Sequence, residues 1–275
     1  MNTREIREIV YAFAIGDALG SVFEFQSPAT EEIVDRFDNG SDLKFTDDTY
    51  LLLTTLSAYI ELKALPENQQ TWEKFHDLTC RALHAWYLTG DFRGIGDTTY
   101  QALKQIDDYS YRHHSFTGFE LHERGYNRKW SAGNGALSRY IPLLSFVSDL
   151  DKIPLSRWVQ ITHLHEDAIQ SVRYLHEYVH GGITPPRLEG DEIRGFYCFE
   201  TLQIAIDAVE QSKNLKEVLL ASTIPEGDND TIAALSFALW VIKNGYDELL
   251  PLESRVSQKD REILDDNLRG AFFQK

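Results

Sequence analysis

An all-α fold is what this sequence predicts, and two observations predict it. Apolar residues recur at helical spacing through several long segments, and few segments alternate with the period of a strand. From Arg4 to Leu19, helix formers carry Ile6, Ile9, Val10, Phe13 and Ala14 at that spacing. The stretch Thr49 to Leu62 puts Leu52, Leu56, Tyr59 and Ile60 on one face, and Trp72 to Leu88 and Glu200 to Ser212 repeat the pattern. Asn214 followed by Glu217 is the N-terminal signal of a further helix. Thr231 to Lys243 is apolar on nearly all sides, which predicts a buried helix. Gly181 to Pro186 reads as a loop. So does the polar run Tyr109 to Trp130, which carries His113, His114 and His122 and is expected to be a surface excursion. With no repeat, low-complexity tract or Pro/Gly/Ser-rich linker, one compact domain over residues 1–275 is the simplest organisation.

Composition narrows the class of function. The chain has 275 residues, 43% hydrophobic and 25% charged, which is ordinary for a globular protein able to bury a large core. Its net charge of −16 repels nucleic-acid phosphate and anionic membrane, so neither is expected as a bulk partner. Apolar stretches are too short to span a bilayer. Cys80 and Cys198 form no disulfide framework and no metal-ligand spacing, and the first ten residues lack an apolar signal core; together these predict a cytoplasmic protein.

Two short segments could carry chemistry. Phe45-Thr46-Asp47-Asp48-Thr49 and Gly227-Asp228-Asn229-Asp230-Thr231 each place two carboxylates and a Thr hydroxyl where a buried helix begins. Helix capping explains one acceptor at such a place, because Asp and Thr are good N-caps and suit the positive end of the helix dipole. It does not explain a pair of carboxylates, which are costly beside buried helices unless something neutralises them. Oxygen-only ligand sets suit hard cations such as Mg²⁺ or Mn²⁺, and two sets brought together could hold two metals. A third segment, Ser131-Ala132-Gly133-Asn134-Gly135-Ala136, is either an ordinary turn or a backbone cradle for phosphate at a helix start. In a fourth, Gly16 and Gly20 are spaced to admit a close-packed helix, and Glu24 follows among apolar and aromatic neighbours, as a surface residue or as an acid held in a pocket. Thr162-His163-Leu164-His165 offers two histidines that a single helix face would not present together. No nucleophile elbow, Walker loop or dinucleotide-binding Gly pattern is present.

Taken in order, these segments resemble the ADP-ribosylglycohydrolase family, whose members include ADP-ribosyl-arginine and ADP-ribosyl-serine hydrolases. The resemblance rests on Gly16-Asp17-Ala18-Leu19-Gly20 with Glu24, on Thr46-Asp47-Asp48-Thr49, and on Gly94-Ile95-Gly96-Asp97-Thr98-Thr99. It continues through Gly133-Asn134-Gly135-Ala136 with Arg139 and Pro142, Thr162-His163, and Gly227-Asp228-Asn229-Asp230-Thr231. It implies a compact orthogonal helical bundle with a binuclear metal centre, two Mg²⁺ or Mn²⁺, between helix N-termini. Thr46, Asp47 and Asp48 would ligate from one side, and Asp228, Asp230 and Thr231 from the other. Glu24 and Asp48 would be catalytic. Gly133, Asn134, Gly135 and Ala136 would face the diphosphate of ADP-ribose, with His163 or His165 near the cleft.

The implied reaction cleaves the bond between ADP-ribose and a modified target, a protein side chain such as arginine. Two other roles fit the same resemblance: an inactive member that binds ADP-ribose or serves a structural role, and an immunity protein against an ADP-ribosylating toxin. The chain departs from the family pattern at Glu226, where a second Gly is usual, and at Ser138, where Met is common. It also departs at the bulky Ser236, Phe237 and Trp240, and in the segment from Tyr109 to Trp130.

Overall fold

The helical periodicity is realised in the computed structural model, which describes residues 3–123, 131–148, 150, 153–183, 185 and 194–270. Among these residues there are thirteen α-helices and no β-strand, only the isolated bridges Leu43–Val256 and Gly133–Tyr197. In chain order they are α1 (Thr3–Gly20), α2 (Thr30–Asn39), α3 (Asp47–Ala64), α4 (Trp72–Thr89) and α5 (Asp97–His113). There follow α6 (Gly135–Leu144), α7 (Leu155–Val159), α8 (Glu166–Gly181), α9 (Cys198–Gln211) and α10 (Leu215–Ser222). The last are α11 (Asn229–Asn244), α12 (Leu250–Glu253) and α13 (Gln258–Leu268). Both cysteines are buried and unpaired. No helix among the described residues is long and apolar enough to cross a membrane.

Helices α1 and α11 pack along their length and form the spine of the molecule. Gly16 faces the Ala233 carbonyl and Gly20 the Asn229 carbonyl, so the two helices run antiparallel with their backbones in direct contact. The glycine spacing in the sequence therefore has its expected use. A Cβ at either position would overlap backbone atoms, which cannot rotate away. Gly20→Ala should cost about 2 kcal/mol or more of stability, the usual range for overpacking a tight contact, read as a lower urea midpoint. An unchanged midpoint would mean that the helices part at little cost.

Helix α11 is buried on all sides, as its composition demands: Ile232, Ala234, Ser236, Phe237 and Ala238 are all inaccessible, and the Ser236 hydroxyl donates to the Ile232 carbonyl (2.7 Å). The bulky residues are thus absorbed into the core around this helix. Helix α3 packs against α4 and α6, α13 lies on α3, and α9 and α10 cover α11. The Asn214–Glu217 signal does cap α10, with the Glu217 amide donating to the Asn214 side chain at 2.9 Å.

Two loop expectations need correction. Tyr109–His113 is the last turn of α5, whose buried face of Ala102, Leu103 and Ile106 extends the helix from Asp97. Further along the same run most described residues are exposed, as expected, but Phe119 and Leu121 are buried and anchor it to the core; residues 124–130 lie outside the described set. The loop expected from Gly181 starts one residue later, because Gly181 closes α8 and Gly182 is its left-handed C-cap (φ 66°).

Candidate metal centre and substrate cleft

Five helix starts converge on one cleft of about 1030 Å³. Helix α3 contributes Asp47 and Asp48, α11 contributes Asp228, Asp230 and Thr231, and α5 contributes Asp97, Thr98 and Thr99. Asn134 and Gly135 stand at the start of α6, and His165 and Asp167 at the start of α8. The positive ends of five helix dipoles thus point inward, a setting that favours carboxylates and phosphates alike.

Capping does not explain the two Asp motifs. Neither the Thr46 nor the Asp228 side chain, at the N-caps of α3 and α11, accepts a backbone amide of its own helix; Asp230 takes the adjacent amide of Thr231 at 2.8 Å. Helix α3 is capped instead from α1. Asp17 accepts the Thr46 amide (2.9 Å) and hydroxyl (2.9 Å), and the Thr49 amide (3.1 Å) and hydroxyl (2.6 Å). The sequence pattern assigns Asp17 no role of its own, although a carboxylate on the buried face of an apolar helix is itself a signal.

With its cap supplied from outside, the motif's own side chains turn to the cleft and to one another. The Thr231 hydroxyl lies 2.6 Å from Asp48 Oδ2 and 3.0 Å from Asp228 Oδ1. The Thr46 hydroxyl lies 3.3 Å from Asp230. Ser138 donates to Asp48 Oδ1 at 2.6 Å, which gives the departure from Met a polar purpose. Asn134 donates to Asp228 at 2.9 Å. Glu24 reaches the same place: one carboxylate oxygen each from Glu24, Asp228 and Asp230 lie within 4.8 Å of one another.

The loops carrying Glu24 and Asp228 are tied together. Phe25 N donates to the Gly227 carbonyl (3.0 Å), and Glu226 N donates to the Gln26 carbonyl (2.7 Å). Phe25 and Glu226 both adopt left-handed backbone (φ 57° and 51°), which explains why a Gly is usual at the second position. Glu226→Gly should therefore gain on the order of 0.5 kcal/mol, the relief of left-handed strain outweighing the added freedom of the unfolded chain. The urea midpoint should rise; a fall would show that the exposed Glu226–Arg194 pair (3.5 Å) outweighs the strain.

The other predicted residues divide. Gly133, Asn134 and Gly135 line the cleft, whereas Ala136 is fully buried and absent from its lining. Both His163 and His165 border the cleft. His163 is buried against the Gly133–Gly135 turn, where a Cβ on Gly135 would come within 3.1 Å of its ring, so this glycine serves packing as well as access. Burial, with Arg139 nearby, depresses the His163 pKa to about 3 and keeps the ring neutral. Cleft residues to which the sequence assigns no role include Phe25, at the end of the Gly16 segment, and Phe196, stacked on it with centroids 5.5 Å apart, and Tyr197, which donates to Asp167 at 2.8 Å.

Electrostatics sets the chemistry. Burial, then the charge of neighbouring aspartates, pushes Asp17 and Asp47 well above the ordinary carboxylate range. Burial also pushes up Asp228, helped by its hydrogen bond with Asp230. Asp48 rises to about 7, through burial and then Asp230, and the half-buried Glu24 rises to about 7 for the same two reasons. No lysine or arginine is among the described residues that line the cleft.

A sequence model of the family described as ADP-ribosylglycohydrolase matches residues 2–196. The chain belongs to the ADP-ribosylglycohydrolase family. A solved structure titled "ADP-ribosylglycohydrolase-related protein complex" has the same fold: it is 20% identical with a TM-score of 0.56, and the match covers 99% of both chains. A search of curated proteins found no match. ADP-ribosylglycohydrolase membership carries the class of chemistry, hydrolysis of a glycosidic bond in ADP-ribosylated substrates, and metal dependence is general in the family. The donor set here suits such an ion. Carboxylate and hydroxyl oxygens are hard ligands, and the crowded negative charge lacks a cationic side chain among the described lining residues to offset it.

Proposed function

We propose that the chain hydrolyses the glycosidic bond between ADP-ribose and a modified protein side chain, arginine above all, and so reverses ADP-ribosylation. The observation that carries this reading is the meeting of both Asp motifs with Glu24 in one cleft beside the Gly133–Gly135 turn. Thr46, Asp47 and Asp48 from α3, and Asp228, Asp230 and Thr231 from α11, would hold two Mg²⁺ or Mn²⁺. Such cations supply Lewis acidity at the sugar and neutralise the carboxylates.

The chain's own groups account for the rest. Gly133, Asn134 and Gly135, at the positive end of α6, suit the diphosphate. Both Asp48 oxygens are engaged, by Ser138 and Thr231, while the Glu24 carboxylate has no hydrogen-bond partner among the described residues. Glu24 is therefore the group to orient water toward the anomeric carbon and take its proton as the bond to the target opens, with Asp48 positioned behind it. The buried, unpaired cysteines support a cytoplasmic protein, and the packing of α11 on α1 and of α13 on α3 supports a single domain over residues 1–275.

The test is a panel of ADP-ribosylated arginine, serine and nucleic acid, each with Mg²⁺ or with EDTA. Release of ADP-ribose from arginine, abolished by EDTA, is expected. Binding of ADP-ribose with no hydrolysis of any linkage would mark an inactive binding protein instead.

A further inference from the structure

The segment before α3 is held by its backbone from four directions. The Leu43 amide donates to the Arg255 carbonyl (2.9 Å), Phe45 to Asp260 Oδ2 (3.2 Å), Thr46 to Asp17 (2.9 Å) and Asp47 to the Arg93 carbonyl (2.8 Å). Two of these anchors are themselves joined. Arg93 donates through both terminal nitrogens to Asp260, at 3.2 Å each, and through Nε to Asp91 at 2.9 Å. Its guanidinium lies over the rings of Phe45 (5.2 Å) and Tyr50 (5.6 Å), on either side of the Asp motif. Asp260 is almost fully buried, and the Ser257 hydroxyl that caps α13 accepts its amide at 3.1 Å. One forked ion pair thus connects α13 and the strap before α5 to the start of α3, and neither of its side chains lines the cleft.

We infer that Arg93 and Asp260 are positioning residues that set the placement of Asp47 and Asp48 without touching cation or substrate. The inference rests on the metal-binding reading of those aspartates. A ligand set must be held to about half an ångström to be productive, and the groups that hold it are commonly worth roughly 10- to 100-fold in metal affinity. Arginine suits the role because its planar fork fixes direction as well as charge. Lysine at this place would keep the charge and lose the two parallel bonds.

The experiment compares Mn²⁺ affinity of the intact chain, by electron paramagnetic resonance, in wild type, Asp260→Asn, Arg93→Lys and the core variant Leu219→Ala, with unfolding midpoints measured alongside. Asp260→Asn and Arg93→Lys should bind Mn²⁺ about 10-fold or more weakly. Leu219→Ala, buried on α10, should lose stability and keep its affinity, which separates positioning from general destabilisation. Arg93→Lys carries the test should Asp260→Asn fail to fold. Wild-type affinity in a folded Asp260→Asn or Arg93→Lys would overturn the inference while leaving the metal reading intact. A wild-type chain that binds no Mn²⁺ would overturn both.

Discussion

Replacing Asp47 and Asp228 together by alanine should lower ADP-ribose release from a modified protein on the order of 10³-fold, since cation-dependent stabilisation of several kcal/mol is lost at about 1.4 kcal/mol per tenfold. The pair takes one carboxylate from each helix start, so neither motif keeps its proposed complement. Both side chains border the cleft, and the helix ends survive their loss: α3 is capped by Asp17, and the Asp228 side chain caps nothing. The fold should therefore persist, which circular dichroism can check on the same sample. Chromatographic measurement of released ADP-ribose decides the matter. Full activity in the double variant, or in excess chelator, would falsify the metal assignment.

The second large effect is on stability. Asp48 and Glu24 carry folded-state pKa values of about 7 against ordinary values of 3.8 and 4.5, and Asp17, Asp47 and Asp228 are raised as well. Between the ordinary and the raised values the folded chain binds more protons than the unfolded one. Without a cation, stability from these groups is therefore full below about pH 4 and lost as pH rises through 7 and beyond. A divalent cation, held as proposed, would take the place of those protons. At 100 times its Kd it should add about 2.7 kcal/mol, roughly 5 °C in Tm for a chain of this size.

That gain should be large at pH 8 and much smaller at pH 5, where protons already occupy the carboxylates. His163 acts in the opposite sense. Its depressed pKa contributes stability that is present above about 6.5 and lost as pH falls toward 3. The difference between melts with and without Mg²⁺ at one pH cancels that contribution. Equal Mg²⁺ shifts at pH 5 and pH 8 would contradict the account.

Much of this architecture is legible in the sequence. The starts of α3 and α11 are marked by acidic residues and by buried periodicity, α1 by its Gly16 and Gly20 spacing, and α10 by its cap. What the sequence hides is tertiary. Nothing local to Thr46 shows that α1 caps its helix, and nothing near Phe45 points to Asp260, 215 residues away. Helix α8 is hidden because its outward face mixes Arg173, Tyr174, Glu177 and Tyr178, which blurs the stripe formed by Ala168, Ile169, Val172 and Leu175. The candidate site is readable as a set of residues, because its chemistry needs particular side chains. Its scaffolding is not, because backbone amides can be held by almost any acceptor.

The convergence of helix starts also fixes when the cleft can exist. Asp17, Asp47 and Asp48 leave the ribosome well before Asp228, Asp230 and Asp260. A nascent chain that folds in the order of its synthesis therefore carries only the first half of this set until the second half is made, and α1 waits with an exposed glycine face until α11 arrives. Repulsion between the two sets begins only at the closing step, together with the proposed affinity for a cation. Ion capture would then report that α11 has docked on α1, and a chain still lacking α11 would show neither the full repulsion nor the full binding.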